Sequence, residues 1–314
     1  MRQASSPLVR TIAKAEGVDI TTLEGTGIHG RVTKRDILAH LEQRQRAPAA
    51  AAGPRAAPPA GKLDTGFHVP AYQPGENVVI EPMSKIRRIT AAHMRYSKDT
   101  AAHVTTVFHI DMAKVHAARE RVKQRFLAEV GTKLTYMPFI FKAVCAALKA
   151  HPKLNASIDG TNVVFKKDIN LGIAVALDWG LIVPVIKHAD QLNLVGLAKA
   201  ANDLAERARA KKLKPEEVQG GTFTITNPGV FGSLFGMPII NQPQVAILGI
   251  GTVEKRPVVV TDGDGNDSLA VKPMAYFAIS YDHRLVDGAD ADHFMNHVKK
   301  SLIEDTWSEL DPYR

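Results

Sequence analysis

The ten residues Ile279-Ser-Tyr-Asp-His-Arg-Leu-Val-Asp-Gly288 decide how this chain is read. They follow the apolar run 274–280, Met-Ala-Tyr-Phe-Ala-Ile-Ser, which has the length and composition of a buried strand. Behind them Ala291, Phe294, Met295 and Val298 recur at helical spacing. His283 and Asp287 therefore stand at a strand end, on a turn marked by Gly288, where a rigid scaffold often presents working side chains. Imidazole titrates near neutrality and can take a proton from a thiol or hydroxyl at pH 7, which makes His283 a candidate general base. Asp287, four residues on, is placed to hold the loop or a cationic partner. From the pattern alone, a His and an Asp beside a turn are more often plain surface residues.

The chain has 314 residues, room for one large domain and a small one. With 45% apolar and 23% charged residues it has a globular composition. It has no apolar run of about 18 residues to span a membrane, and its N-terminus lacks the apolar core of a secretory signal. One cysteine, Cys145, makes neither an internal disulfide nor a thiolate cluster, so a reducing, intracellular location is expected. Of the net charge of +8, residues 1–62 contribute +5, with ten Lys and Arg against five Asp and Glu. This concentration points to an acidic partner at the N-terminal end. Nucleic acid is the competing reading, but no aromatics interleave with the basic residues and no nucleic-acid motif appears.

Residues 5–43 read as a compact unit of two short helices, one from Pro7 to about Ala15 and one capped by Thr33-Lys-Arg-Asp36. Gly25-Thr-Gly-Ile-His-Gly30 between them matches a dinucleotide fingerprint, yet no strand precedes it and no βαβ unit surrounds it, so a plain turn is expected. Fourteen of the fifteen residues 47–61 are Ala, Pro or Gly. Such a segment is a partly stiff spacer, reaching about 45 Å at 3.1 Å per residue. The expected division is a small unit over 1–43, a linker over 44–76 and a large domain over 77–314.

From Val78 on, helices and strands mix. Helices are expected over 84–98, 112–126, 136–150 and about 194–208, and strands over 103–110, 169–177, 181–186, 222–226, 243–250 and 271–280. Asp159-Gly160 signals a hairpin. Asp262-Gly-Asp-Gly-Asn-Asp267 has a superficial likeness to a calcium loop but lacks the closing Glu, and a hairpin turn is expected there too. No catalytic metal is expected, because the histidines form no tight ligand pair with a carboxylate on one helix face.

The decapeptide, with its Asp282-His283-Arg284 and Asp287-Gly288, resembles the active-site motif of the dihydrolipoamide acyltransferases, core subunits of 2-oxo acid dehydrogenase complexes. Gly220-Gly-Thr-Phe-Thr-Ile-Thr226-Asn-Pro-Gly229-Val-Phe-Gly-Ser-Leu-Phe-Gly-Met-Pro-Ile-Ile-Asn241 resembles the family's second active-site segment. Pro7-Leu-Val-Arg10, Gly17-Val-Asp19 and Gly25-Thr-Gly-x-x-Gly-Arg31-Val resemble its peripheral-subunit-binding domain. The resemblance implies an α/β fold: a chloramphenicol-acetyltransferase-like mixed-sheet sandwich with helices, preceded by a small all-α peripheral-subunit-binding domain. It implies His283 as the base and Thr226, a threonine where serine also occurs, as donor to the tetrahedral oxyanion. Arg87 and Arg88, with Ser84 and Lys85, match a basic segment near the phosphates of coenzyme A, although His93 stands where an arginine is frequent. Arg10 and Arg31 match the arginines that pair with dihydrolipoamide dehydrogenase or the decarboxylase, with Leu8 departing from a serine of the docking face. It further implies a homotrimer, with His from one copy and hydroxyl from the next, building a 24- or 60-subunit core. The location implied is the cytoplasm, or the mitochondrial matrix if a presequence is missing.

Family members usually carry a lipoyl domain ahead of the binding unit. None is found here, so the lipoyl group is expected from another polypeptide or from a part of the protein missing from this chain. The segment 227–241 looks most like the succinyltransferases, with Pro228 and Met237 departing from them and leaving acetyl and branched-chain acyl groups open. A non-catalytic scaffold that only binds the dehydrogenase is the rival from another class, but such proteins lose the histidine. An antibiotic O-acetyltransferase shares only the His-x-x-x-Asp-Gly core.

Overall fold

The structure is a computed structural model that describes residues 6, 9, 11–13, 18, 23, 25–27, 31–39, 72–73 and 75–313, apart from 179. The chain divides into two units, Met1–Tyr72 and Gln73–Arg314. In the first, Val9, Ala13, Leu23, Val32 and Ile37 form a small buried cluster. Residues 34–39 are helical. The Asp36 carboxylate accepts hydrogen bonds from the Thr33 amide at 2.8 Å, the Thr26 amide at 3.1 Å and the Thr26 hydroxyl at 2.7 Å. One side chain thus caps the helix and pins the preceding turn to it. Gly27 bonds back to Arg31 through its amide at 2.9 Å, and a side chain there would meet the Arg31 carbonyl at 2.7 Å. The glycine is needed for a chain reversal, as the turn reading expects. The linker segment 47–61 lies outside the described residues.

In the second unit the helices, numbered from α1, and the strands follow in the order α1 (Lys85–Thr100), β1 (His103–Asp111), α2 (Ala113–Val130), α3 (Met137–Ala150), β2 (Ala156–Asp159) and β3 (Asn162–Phe165). Four short strands come next, β4 (Leu171–Ile173), β5 (Val175–Leu177), β6 (Gly180–Ile182) and β7 (Val185–Ile186). The rest are α4 (Leu194–Arg209), β8 (Phe223–Thr226), β9 (Ala246–Ile250), β10 (Glu254–Thr261), β11 (Asp267–Asp282) and α5 (Gly288–Glu304). Seven strands make one mixed sheet in the order β1-β11-β9-β8-β4-β7, with β10 paired to the first half of β11. The mixed α/β architecture expected from the sequence is therefore present.

Strand periodicity sorts the side chains of β11. Phe277, Ile279 and Tyr281 point into the main core, where Phe139, Ile140 and Val144 of α3 and Phe294, Met295 and Val298 of α5 meet them. The alternate positions point to the opposite face. There Ala101, Ile240 and Ile247 form a separate small cluster, and the Ser97 hydroxyl of α1 donates to the Ile240 carbonyl at 2.6 Å. The segment ending at Ile240 thus lies over the face that the core helices leave open.

Two expected strands are each broken in two. The stretch 169–177 splits at Ala174, whose amide turns to the Ile225 carbonyl at 2.9 Å. The stretch 181–186 splits at Pro184, which has no amide to donate. So β4 and β7 join the main sheet while β5 and β6 pair with each other. Among the described residues no helix is long and apolar enough to cross a membrane.

Candidate active site

His283 sits one residue beyond β11, and its backbone is clamped on both sides. Its amide donates to the Ala102 carbonyl at 2.8 Å, and the Asp282 amide donates to the Val245 carbonyl at 2.8 Å. The Asp282 side chain, 1% exposed, is the hub of the turn. Its carboxylate accepts from the amides of Ala102 at 3.2 Å and Arg284 at 3.1 Å. It also takes the Arg284 guanidinium through Nε at 3.0 Å and Nη2 at 2.7 Å. Burial pushes this carboxyl up, and the Arg284 hydrogen bonds with the Ala102 amide outweigh it, leaving the group below its ordinary range. An ionised Asp282 therefore ties the segment after α1, the end of β11 and the His283 turn together.

The imidazole itself is open, with 44% of the His283 side chain exposed and the Tyr281 ring 5.9 Å away. Asp287 does not hold the ring. Its carboxylate stands 3.9 Å from Nδ1, beyond hydrogen-bond reach. Asp287 is instead the residue ahead of α5, with its amide donating to the Asp290 carboxylate at 3.3 Å. Asp290 is in turn fixed by Lys153 at 2.9 Å.

Thr226 ends β8 and makes no side-chain hydrogen bond to another described residue, so its hydroxyl is available as a donor. In register it lines up with Gly249 of β9 and Ala278 of β11. His283 is five residues past Ala278 and two strands across. At 3.3 Å per residue and 4.8 Å per strand the two α-carbons are about 19 Å apart. One copy of the chain thus presents the imidazole and the hydroxyl at opposite ends of its sheet. The loop after Thr226 is seated by backbone contact: a side chain on Gly229 would meet the Gly251 carbonyl carbon at 2.3 Å. Beyond this point Val230, Phe231 and Met237 are exposed.

Ser84 caps α1, its hydroxyl accepting from the Arg87 amide at 3.2 Å. It also lines a mainly apolar cleft of about 460 Å³ with Ile86, Ile182, Ala208, Lys211 and Leu213. Arg87 and Arg88 are exposed on the same helix. His93 faces the Gln242 carbonyl at 3.2 Å. Arg31 is exposed, and Arg10 lies outside the described residues. The acidic turn at 262–267 is a hairpin in which Asp262 accepts from the amides of Asp264 and Asn266.

Residues 75–310 match the family described as 2-oxoacid dehydrogenases acyltransferase (catalytic domain). The chain belongs to this acyltransferase family. Residues 4–38 match an e3 binding domain. A dihydrolipoyllysine-residue acetyltransferase component of the pyruvate dehydrogenase complex from Mycobacterium bovis is 44% identical over 303 residues, covering 95% of this chain and 54% of that protein. A succinyltransferase component of the 2-oxoglutarate dehydrogenase complex from Bacillus subtilis is 40% identical over 306 residues, covering 97% and 69%. The solved cubic core of a pyruvate dehydrogenase multienzyme complex shares 35% identity at a TM-score of 0.68, covering 75% of this chain and 98% of that one. This acyltransferase chain spans about half the length of the acetyltransferase relatives it matches.

Proposed function

We propose that the chain transfers an acyl group, with succinyl favoured, between dihydrolipoamide and coenzyme A, as the core of a 2-oxo acid dehydrogenase complex. The observation that carries the reading is the open imidazole of His283 on a turn rigidly fastened by Asp282 and Arg284. A thiol of pKa about 8.5 is mostly protonated at pH 7 and is a poor nucleophile until its proton is removed. His283 takes that proton, a contribution of about 10²–10⁴-fold. The thiolate attacks the thioester carbonyl, and the unengaged hydroxyl of Thr226 donates to the oxyanion, worth about 3 kcal/mol. Collapse expels the second thiolate, which recovers the proton from His283. No acyl-enzyme is needed.

Because the two groups lie about 19 Å apart in one copy, the working site forms where His283 of one copy meets Thr226 of the next. This fits a trimer building a 24- or 60-subunit core, and the likeness to a cubic core supports it. The cleft at Ser84, flanked by Arg87 and Arg88, is where coenzyme A would lie. The lipoyl group reaches the site from a separate domain. Residues 1–43 dock dihydrolipoamide dehydrogenase, the decarboxylase or both, through Arg10 and Arg31, and residues 44–76 tether them. A cytoplasmic site of action goes with this reading.

The test is acyl exchange between coenzyme A thioesters and free dihydrolipoamide. His283→Ala is expected to lose at least 10²-fold in kcat. Thr226→Ala is expected to lose about 10²–10³-fold, and Thr226→Ser to stay near wild type. Normal exchange by His283→Ala would overturn the assignment. The order of rates with succinyl-, acetyl- and isobutyryl-coenzyme A decides the acyl group. Charge reversal at Arg10 and Arg31 is expected to abolish dehydrogenase binding and leave exchange intact.

A further inference from the structure

Three imidazoles that this chemistry does not use stand together. His151 closes the C-terminal end of α3, and His293 and His297 stand one turn apart on α5. All three line an open cleft of about 660 Å³, with Glu304 and Asp305 also in its wall. None of the three rings hydrogen-bonds to another described residue, so their nitrogens are available as ligands.

The His151 and His297 rings meet edge to face, with centroids 5.7 Å apart and an interplanar angle of 83°. Two imidazoles on one tetrahedral zinc ion, each bound at 2.0–2.1 Å, put their ring centres about 5.2 Å apart. The observed pair is thus within about half an ångström of the spacing a shared ion requires. His293 and His297 have the i, i+4 spacing by which one helix face offers two histidines to a metal. Among the described residues no three His, Cys, Asp or Glu groups already converge on one point. His293 is exposed on α5, and a three-histidine site would require its side chain to turn toward the other two.

We propose that His151, His293 and His297 bind one borderline divalent transition cation of the Zn²⁺ class, with water completing the shell. The ion bridges the end of α3 to the middle of α5, the helix that leads directly out of the His283 turn. Nitrogen donors select such a cation over Mg²⁺, which prefers oxygen. The bridge is a brace, and takes no part in acyl transfer.

The experiment is calorimetric titration of the full chain with zinc chloride and, separately, magnesium chloride, in buffer free of thiols because dithiols compete for zinc. The wild type is expected to show a zinc-binding phase that His151→Asn, His293→Asn and His297→Asn each weaken at least tenfold. Zinc is also expected to raise the melting temperature of the wild type and not of the variants. His293 is exposed, so His293→Asn keeps the test open if either of the others fails to fold. Unchanged zinc binding in every folded variant, or magnesium binding equal to zinc, overturns the proposal.

Discussion

Asp282 does more to fasten the His283 turn than the two residues that first attract attention. An aspartate next to a loop histidine reads as a surface residue, yet its carboxylate is enclosed and accepts from Ala102 and Arg284 together. The hint in the chain was the arginine two positions on, which can reach back around the turn. Asp282→Asn keeps the size and removes the charge, leaving the Arg284 guanidinium short of its partner. It is expected to cost about 1–3 kcal/mol, read as a lower urea midpoint, and to reduce kcat more than it changes KM for coenzyme A. Asp287, by contrast, leads into α5 and stands 3.9 Å from the ring of His283. Cys145 is a simpler case. Burial pushes its thiol up to about 12, so native protein is expected to resist iodoacetamide at pH 8 and to react once unfolded in urea.

Apolar periodicity located α2 to α5 of the larger unit, because each buries a continuous face, whereas α1 buries Ser97 alone. It could not locate the breaks at Ala174 and Pro184, which depend on which neighbouring strand takes the backbone hydrogen bonds. Nor could it show what the glycines after Thr226 are for. A side chain at Gly251 would meet the Leu234 carbonyl oxygen at 1.9 Å and the Tyr276 carbonyl oxygen at 2.8 Å, all backbone that cannot step aside. Gly251→Ala is therefore expected to displace the loop behind Thr226, lowering the melting temperature and abolishing exchange, whereas alanine at the unobstructed Gly263 is expected to do neither.

In the small unit, Asp36 is held far below the ordinary carboxylate value by the Thr33 amide and by Thr26. A lowered folded-state value means its stabilisation is complete above the unfolded value near pH 4 and is lost as the pH falls below it. Acid titration of the intact chain, followed at the Thr33 amide by NMR, is expected to show this unit losing stability progressively as the pH falls below about 4. In Asp36→Asn that part of the pH dependence is expected to be gone and the unit weaker at neutral pH.

The sequence carried the class of the molecule, and the family resemblance already divided the two candidate groups between copies; their distance within one copy needed the strand register. Residues 226 and 283, partners in the proposed reaction, are distant in the sheet, as the register of β8, β9 and β11 has it. This leads to a mixing test. His283→Ala and Thr226→Ala are each expected to be inactive alone. Co-expressed in equal amounts they are expected to recover about a quarter of wild-type activity, the fraction of interfaces that pair two intact groups in a randomly mixed cyclic assembly. No recovery would mean that each copy uses its own histidine and threonine. A strip of exposed apolar residues at Val79, Ile80, Met83, Ile86 and Ile89 marks where a neighbouring copy would cover the chain.

If the imidazole and the hydroxyl, about 19 Å apart in one copy, work only across copies as proposed, turnover would answer to crowding. Specific activity would fall on dilution and return on concentrating, with no ligand or modification involved. A newly made copy would stay idle until it found its companions, so exchange would begin only once neighbouring copies had met.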